Sequence, residues 1–150
     1  MKRTIWFDMD GTIADLYGVA DWLPKLRCED VSPYAEAKPL LNFSLFARYL
    51  NKLQTIGYAI GIISWTSKGG SYDYDCAVRD TKWDWLCEHL PSVSWDYVRI
   101  TAYGVPKESW MIATDDILFD DNEEIRGEWY GEAYEPNEIL SVLKELINRG

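Results

Sequence analysis

The stretch Thr4-Ile5-Trp6-Phe7-Asp8-Met9-Asp10-Gly11-Thr12 decides how this chain is read. A short run of β-branched and aromatic residues stops abruptly at an aspartate, and a second aspartate and a glycine follow. Length and residue type predict a buried strand over Thr4 to Phe7. Gly11 supplies a turn, so Asp8 and Asp10 can both reach one site at the carboxyl end of that strand.

Working outward, Leu41 to Ile56 reads as a helix, with Leu45, Phe46, Tyr49, Leu50 and Leu53 at three- and four-residue spacing and Gly57 closing it. Tyr58 to Ile63 is predicted as a second buried strand ending at Ser64. A polar loop, Thr66 to Asp75, leads into a helix whose face is read as Cys76, Trp83, Leu86, Cys87 and Leu90, with Pro91 stopping it. Tyr97 to Thr101 and Asp116 to Phe119 give two more strands, the latter halted by Asp120 and Asp121, and a weak fifth lies near Trp129 to Tyr134. Asn137 is the expected cap of a last helix, with Ile139, Leu140, Val142, Leu143, Leu146 and Ile147 as its stripe. Ala14 to Lys38 is irregular, punctuated by Pro24 and Pro33, with a short helix around Leu16 to Leu26.

Strands alternating with helices imply an α/β fold: a single Rossmann-like parallel sheet flanked by helices, spanning residues 1–150 as one domain. Ligands bind such sheets at the carboxyl ends of the strands. The residues there are Asp8, Met9 and Asp10, then Ser64, Trp65 and Thr66, then Thr101, then Asp120 and Asp121. Carboxylates packed together repel, and a bound cation relieves them. An all-oxygen cluster suits Mg²⁺ before zinc, and Mg²⁺ recruits phosphate. One aspartate can attack phosphorus while the other handles the proton on the leaving oxygen. Backbone N–H groups of the turn, Met9 included, can cradle phosphoryl oxygens. Lys107 and Lys68 are both candidates to neutralise the transferring group.

These residues resemble the haloacid dehalogenase-like phosphohydrolases. Phe7-Asp8-Met9-Asp10-Gly11-Thr12 matches that family's first motif, Ile62-Ile63-Ser64 is similar to the second, Lys107 to the third, and Ile117-Leu118-Phe119-Asp120-Asp121 to the fourth, in family order. The resemblance implies Asp8 as the nucleophile that forms an aspartyl-phosphate and as a Mg²⁺ ligand. It implies Asp10 as general acid and base, with its carbonyl on the metal. Ser64 would bind a phosphoryl oxygen and Lys107 would steady the charge. Asp121 would ligate Mg²⁺ directly, with Asp120 in support. Asp10 sets the chain apart from the halide-displacing branch, which lacks this acid. The interval from Lys107 to Asp120 is shorter than the family commonly shows, so the helix after Lys107 must be brief, and Lys68 is the alternative lysine.

The resemblance also makes residues 14–38 a minimal cap inserted after the first strand, leaving an open site. Tyr17, Trp22, Lys25 and Arg27 can stack on and pair with a nucleotide-like substrate, or they form the cap's own core and wet face. Trp65 and Thr66 lie on the active rim. The implied activity is Mg²⁺-dependent hydrolysis of a phosphomonoester, a nucleotide or another small metabolite. Gly57 to Leu86, with Thr81-Lys82-Trp83, also resembles the 3′-phosphatase domain of phage polynucleotide kinases, which makes polynucleotide 3′-phosphatase the alternative. A non-catalytic phosphate-binding regulatory module would normally have lost Asp8 or Asp10.

Composition narrows the field further. With 15 Lys+Arg against 25 Asp+Glu the formal charge is −10, which argues against a large nucleic-acid interface. The apolar runs are too short for a bilayer, and the start of the chain has no signal-peptide core, so secretion and membrane insertion are not expected. Three cysteines without a CxxC pair and one histidine, His89, speak against a zinc cluster and for buried, inert thiols in a reducing cytoplasm. His89 reads as structural or solvent-facing. The 8 Trp, 10 Tyr and 4 Phe are numerous enough that some are expected to face a ligand.

Overall fold

The computed structural model describes residues 2–150. Strand β1 (Thr4–Phe7) is followed by two short strands, β2 (Ala14–Asp15) and β3 (Lys38–Pro39), which bracket helices α1 (Trp22–Arg27) and α2 (Ser32–Glu36). Then come α3 (Phe43–Thr55), β4 (Ala59–Trp65), α4 (Tyr72–His89), β5 (Tyr97–Thr101), β6 (Ile117–Phe119), α5 (Glu123–Glu128), β7 (Ala133–Tyr134) and α6 (Ile139–Arg149). Five strands form one sheet in the order β5-β4-β1-β6-β7. Every pairing in it is parallel, and Phe7 lies between Ile62 of β4 and Phe119 of β6. The α/β architecture with one parallel sheet agrees with the sequence reading, and β1 lies at the centre of that sheet.

β1 is buried throughout because both of its faces are covered. Ile5 and Phe7 enter the larger core with Phe46, Leu50 and Leu53 of α3 and Leu143 of α6. Trp6 points the other way, onto Ile63, Leu118, Ile125 and Trp129. At the opposite end from the site, fully buried Asp116 accepts hydrogen bonds from the backbone N–H groups of Thr4, Ile112 and Ala113 and from the Trp6 indole. That acid ties β1 to the loop before β6 and is structural.

Several expectations are corrected. The buried stripe of α4 is Tyr74, Val78, Lys82, Trp85 and Leu86; Trp83 and Cys87 are exposed and Cys76 is half-buried. A charged residue, Lys82, occupies the inner face, so apolar spacing alone rotates the helix wrongly. The thiols are not buried: Cys28 and Cys87 are exposed. Asn137 does not cap α6. The turn Pro136–Glu138 precedes it, and the Glu138 carboxylate accepts from the Glu135 N–H in a capping box. His89 is half-buried against the Trp85 ring, in keeping with a structural role.

Residues 14–38 fold as a compact insertion. β2 and β3 pair antiparallel at its base, Ala14 opposite Pro39. Leu16 and Tyr34 bury against Tyr74 and Val78 of α4. The Glu29 carboxylate accepts from both the N–H and the hydroxyl of Ser71, and the Tyr74 hydroxyl donates to the Asp30 carbonyl at 2.8 Å. Among the described residues, no helix is long and apolar enough to cross a membrane.

Candidate active site

Asp8 ends β1, and its N–H donates to the Phe119 carbonyl at 2.9 Å, which draws the ends of β1 and β6 together. Asp8 Oδ1 accepts from Lys107 Nζ at 2.9 Å, and Oδ2 accepts from the Thr12 hydroxyl at 3.0 Å. The same ammonium donates to Asp120 Oδ2 at 2.6 Å, while Asp120 Oδ1 accepts from the Asn122 N–H. The Asp121 N–H donates to Thr12 Oγ1, which places the Asp121 side chain beside Asp8. Gly11 makes this possible. Its φ is +79°, and a Cβ there would collide with the Asp121 carboxylate and the Tyr17 ring.

Oxygens of Asp8, Asp120 and Asp121 lie within 4.8 Å of one another. That is close to the span one six-coordinate cation bridges with bonds of ~2.1 Å. Charge fits as well: three carboxylates face the single ammonium of Lys107, an excess that a divalent ion matches. Burial, and then the Asp8 charge, push Asp120 up to about 6 and Asp121 up to about 7. Lys107 is lowered by burial, but the charges of Asp8 and Asp120 outweigh this and hold it above the ordinary lysine value.

Asp10 stands on the same turn and faces the pocket. Burial raises its pKa, and the ammonium of Lys82 opposes the rise. Lys82 Nζ, 1% exposed, donates to Asp10 Oδ2 at 2.8 Å, to Ser64 Oγ at 2.8 Å and to the Trp65 carbonyl at 2.7 Å.

A pocket of about 390 Å³ opens over this floor, within the range of small-molecule sites. Asp8, Asp10, Lys107, Asp120 and Asp121 border it, together with Trp65, Thr66, Trp22 and Arg27. Trp65 donates its indole N–H to the Val105 carbonyl and rests against Tyr103, ring centres 4.9 Å apart. Lys107 Nζ lies 5.3 Å from the Trp65 ring, so this aromatic wall begins beside the acidic floor. Also bordering the pocket, Trp22 meets Tyr17 edge to face at 4.9 Å. Thr66 is 2% exposed, and its hydroxyl has no hydrogen-bond partner among the described residues.

No protein-family model matches this chain, and a search of curated proteins finds no match.

Of the sequence-predicted residues, Asp8, Asp10, Lys107, Asp120 and Asp121 converge. Lys68 does not: it is exposed on the wall near Tyr103 and touches neither Asp8 nor Asp120. Ser64 is 1% exposed and lies behind the wall, bound to Lys82. Met9 has only its backbone N–H to offer a substrate, as the sequence reading expects. Its side chain is 1% exposed in the main core, and its carbonyl accepts from the N–H groups of Thr12, Ile13 and Ala14. Thr12 and Lys82 stand within the quoted motifs without a role of their own, and Tyr103 stands outside them. For Lys82 a signal existed: it falls four residues after Val78 and three before Trp85, on the inward stripe.

Proposed function

We propose that the protein is a Mg²⁺-dependent phosphomonoester hydrolase of the haloacid dehalogenase-like type, working through an aspartyl-phosphate on Asp8. The observation that carries this reading is the pairing of two differently held acids on one turn. Asp8 is gripped by Lys107 within a three-carboxylate cluster, and Asp10 stands beside it, outside that cluster, with a raised pKa. Different environments for neighbouring acids are what separate a nucleophile from a proton donor.

In the first step an Asp8 oxygen bonds to phosphorus as the bond to the leaving oxygen breaks, and protonated Asp10 gives that oxygen its proton. In the second, Asp10 takes a proton from water, the water oxygen bonds to phosphorus, and the bond to Asp8 breaks, releasing orthophosphate. Asp8 and Asp121 would hold Mg²⁺, with Asp120 positioned behind them by Lys107 and Asn122, and the Asp10 carbonyl is the further ligand the resemblance implies. The ion supplies charge to stabilise the transferring phosphoryl group. Residues 14–38 act as a minimal cap on a single domain.

The substrate is a nucleotide or another small phosphorylated metabolite, since two aromatic pairs border the pocket and nucleobases stack on such rings. Lys68 and Arg27 on the wall form no ion pair among the described residues, which favours a second reading in which further phosphates are held, as at a 3′-phosphorylated polynucleotide end. Three free thiols, two of them exposed, fit a reducing, cytoplasmic setting. Hydrolysis of 4-nitrophenyl phosphate tests the core of the reading. It should require Mg²⁺ and vanish with a chelator, and undiminished turnover in excess EDTA would refute it.

A further inference from the structure

Two lysines are buried at this site, and they spend their protons differently. An ammonium has three N–H donors. Lys107 directs two of them at Asp8 and Asp120 and borders the pocket. Lys82 has three acceptors around it, Asp10 Oδ2, Ser64 Oγ and the Trp65 carbonyl, and is not part of the pocket wall. No donor of Lys82 is left for a substrate. Its acceptors come from two chain segments, the turn after β1 and the end of β4, while Lys82 itself stands on α4. The ring of Tyr34, from the insertion, lies 5.0 Å from its Nζ.

We infer that Lys82 is a positioning residue for proton transfer: it pins Asp10 Oδ2 to the end of β4 and leaves Oδ1 as the oxygen that exchanges protons with the leaving group and then with water. A carboxylate held at one oxygen cannot swing toward the Asp8 cluster, so donor and nucleophile keep separate places. This inference rests on the proposed role of Asp10 as general acid and base.

Lys82→Met, close in length but neutral, removes the tie in the full chain. The readout is kcat/KM with Mg²⁺ for phenyl phosphate against 4-nitrophenyl phosphate, which reports the step forming the phosphoenzyme. Nitrophenolate leaves without a proton and phenolate needs one, so phenyl phosphate should lose about tenfold more than the nitrophenyl ester. Equal losses for the two esters, or no loss, would overturn the inference, because a merely structural defect scales both alike. Should Lys82→Met not fold cooperatively, Lys82→Gln carries the same comparison. The wild type offers an independent reading by NMR of its ¹⁵N-labelled lysines. The Lys82 ammonium protons should be protected from exchange and stay in place when orthovanadate and Mg²⁺ are added, while the Lys107 signal moves. Movement of Lys82 in place of Lys107 would overturn the assignment. Lack of Mg²⁺-dependent hydrolysis by the wild type would bring down the phosphatase reading itself. A normal wild type with an unchanged ester ratio in the variant brings down this inference alone.

Discussion

Lys107 and Lys68 both border the pocket, yet Lys107 is 3% exposed and divides its ammonium between two carboxylates, whereas Lys68 lies exposed near the Tyr103 ring. The contrast extends to the regions they represent. On the floor, Asp8, Asp120 and Lys107 are buried and each is held by named partners, with Asp121 exposed at the edge. On the wall, Tyr17, Leu23 and Tyr103 are exposed, and Tyr17 rests on Trp22 while Tyr103 rests on Trp65. A buried carboxylate pair is costly without its cation, so the floor has one workable arrangement. The wall can change its rings without disturbing the fold, which is how a reaction can be kept while the substrate changes.

The comparison breaks most visibly at Lys107. Lys107→Met leaves Asp8 and Asp120 facing each other in a buried site, and chemical denaturation in EDTA should show a loss of about 3–5 kcal/mol. Lys68→Met should stay within about 0.5 kcal/mol of wild type in the same assay. Similar losses for both would erase the distinction between floor and wall.

A smaller effect is expected from the wall itself. Trp22→Ala or Tyr103→Ala should weaken binding of a nucleoside monophosphate by about 1–3 kcal/mol, read as KM, with kcat and the KM for glycerol phosphate nearly unchanged. A matching loss on glycerol phosphate would mean that the rings support the floor.

The smallest effect per step is in pH. Asp120 and Asp121, held up to about 6 and about 7 by burial and the Asp8 charge, keep protons in the folded chain that the unfolded chain releases near pH 4. Stability of the metal-free protein should therefore fall as pH rises from about 4 to about 7. Mg²⁺ competes with those same protons, so its affinity should rise over that window, roughly tenfold per pH unit for each proton displaced, and level off above it. Calorimetric titration at several pH values checks the slope, and a flat profile would remove the shared acidic site.

The floor was more legible in the sequence than the wall, for physical reasons. Strands covered on both faces become continuous apolar runs, and β1 and β6 stop at acids because their carboxyl ends meet the site. Alternation along β1 sends the Met9 side chain the same way as Ile5 and Phe7, into the main core, which leaves its backbone for the site. α2, β2 and β3 carry too few residues for any period to emerge, and α2 and β3 each contain a proline. Lys82 was hidden by the ordinary expectation that a helix lysine is solvated. Its partners, Asp10 and Ser64, lie 72 and 18 positions away in the chain, so only the folded structure brings them together.

The most direct test of the central claim is rapid-quench trapping of the phosphoenzyme with radiolabelled 4-nitrophenyl phosphate and Mg²⁺. Wild type should carry acid-stable, hydroxylamine-sensitive label on Asp8, and Asp10→Asn should accumulate more of it, because water attack loses its base. Asp8→Asn should carry none, with turnover down by several orders of magnitude. Wild-type turnover by Asp8→Asn, or label on any other residue, would contradict the assignment of Asp8 as the nucleophile.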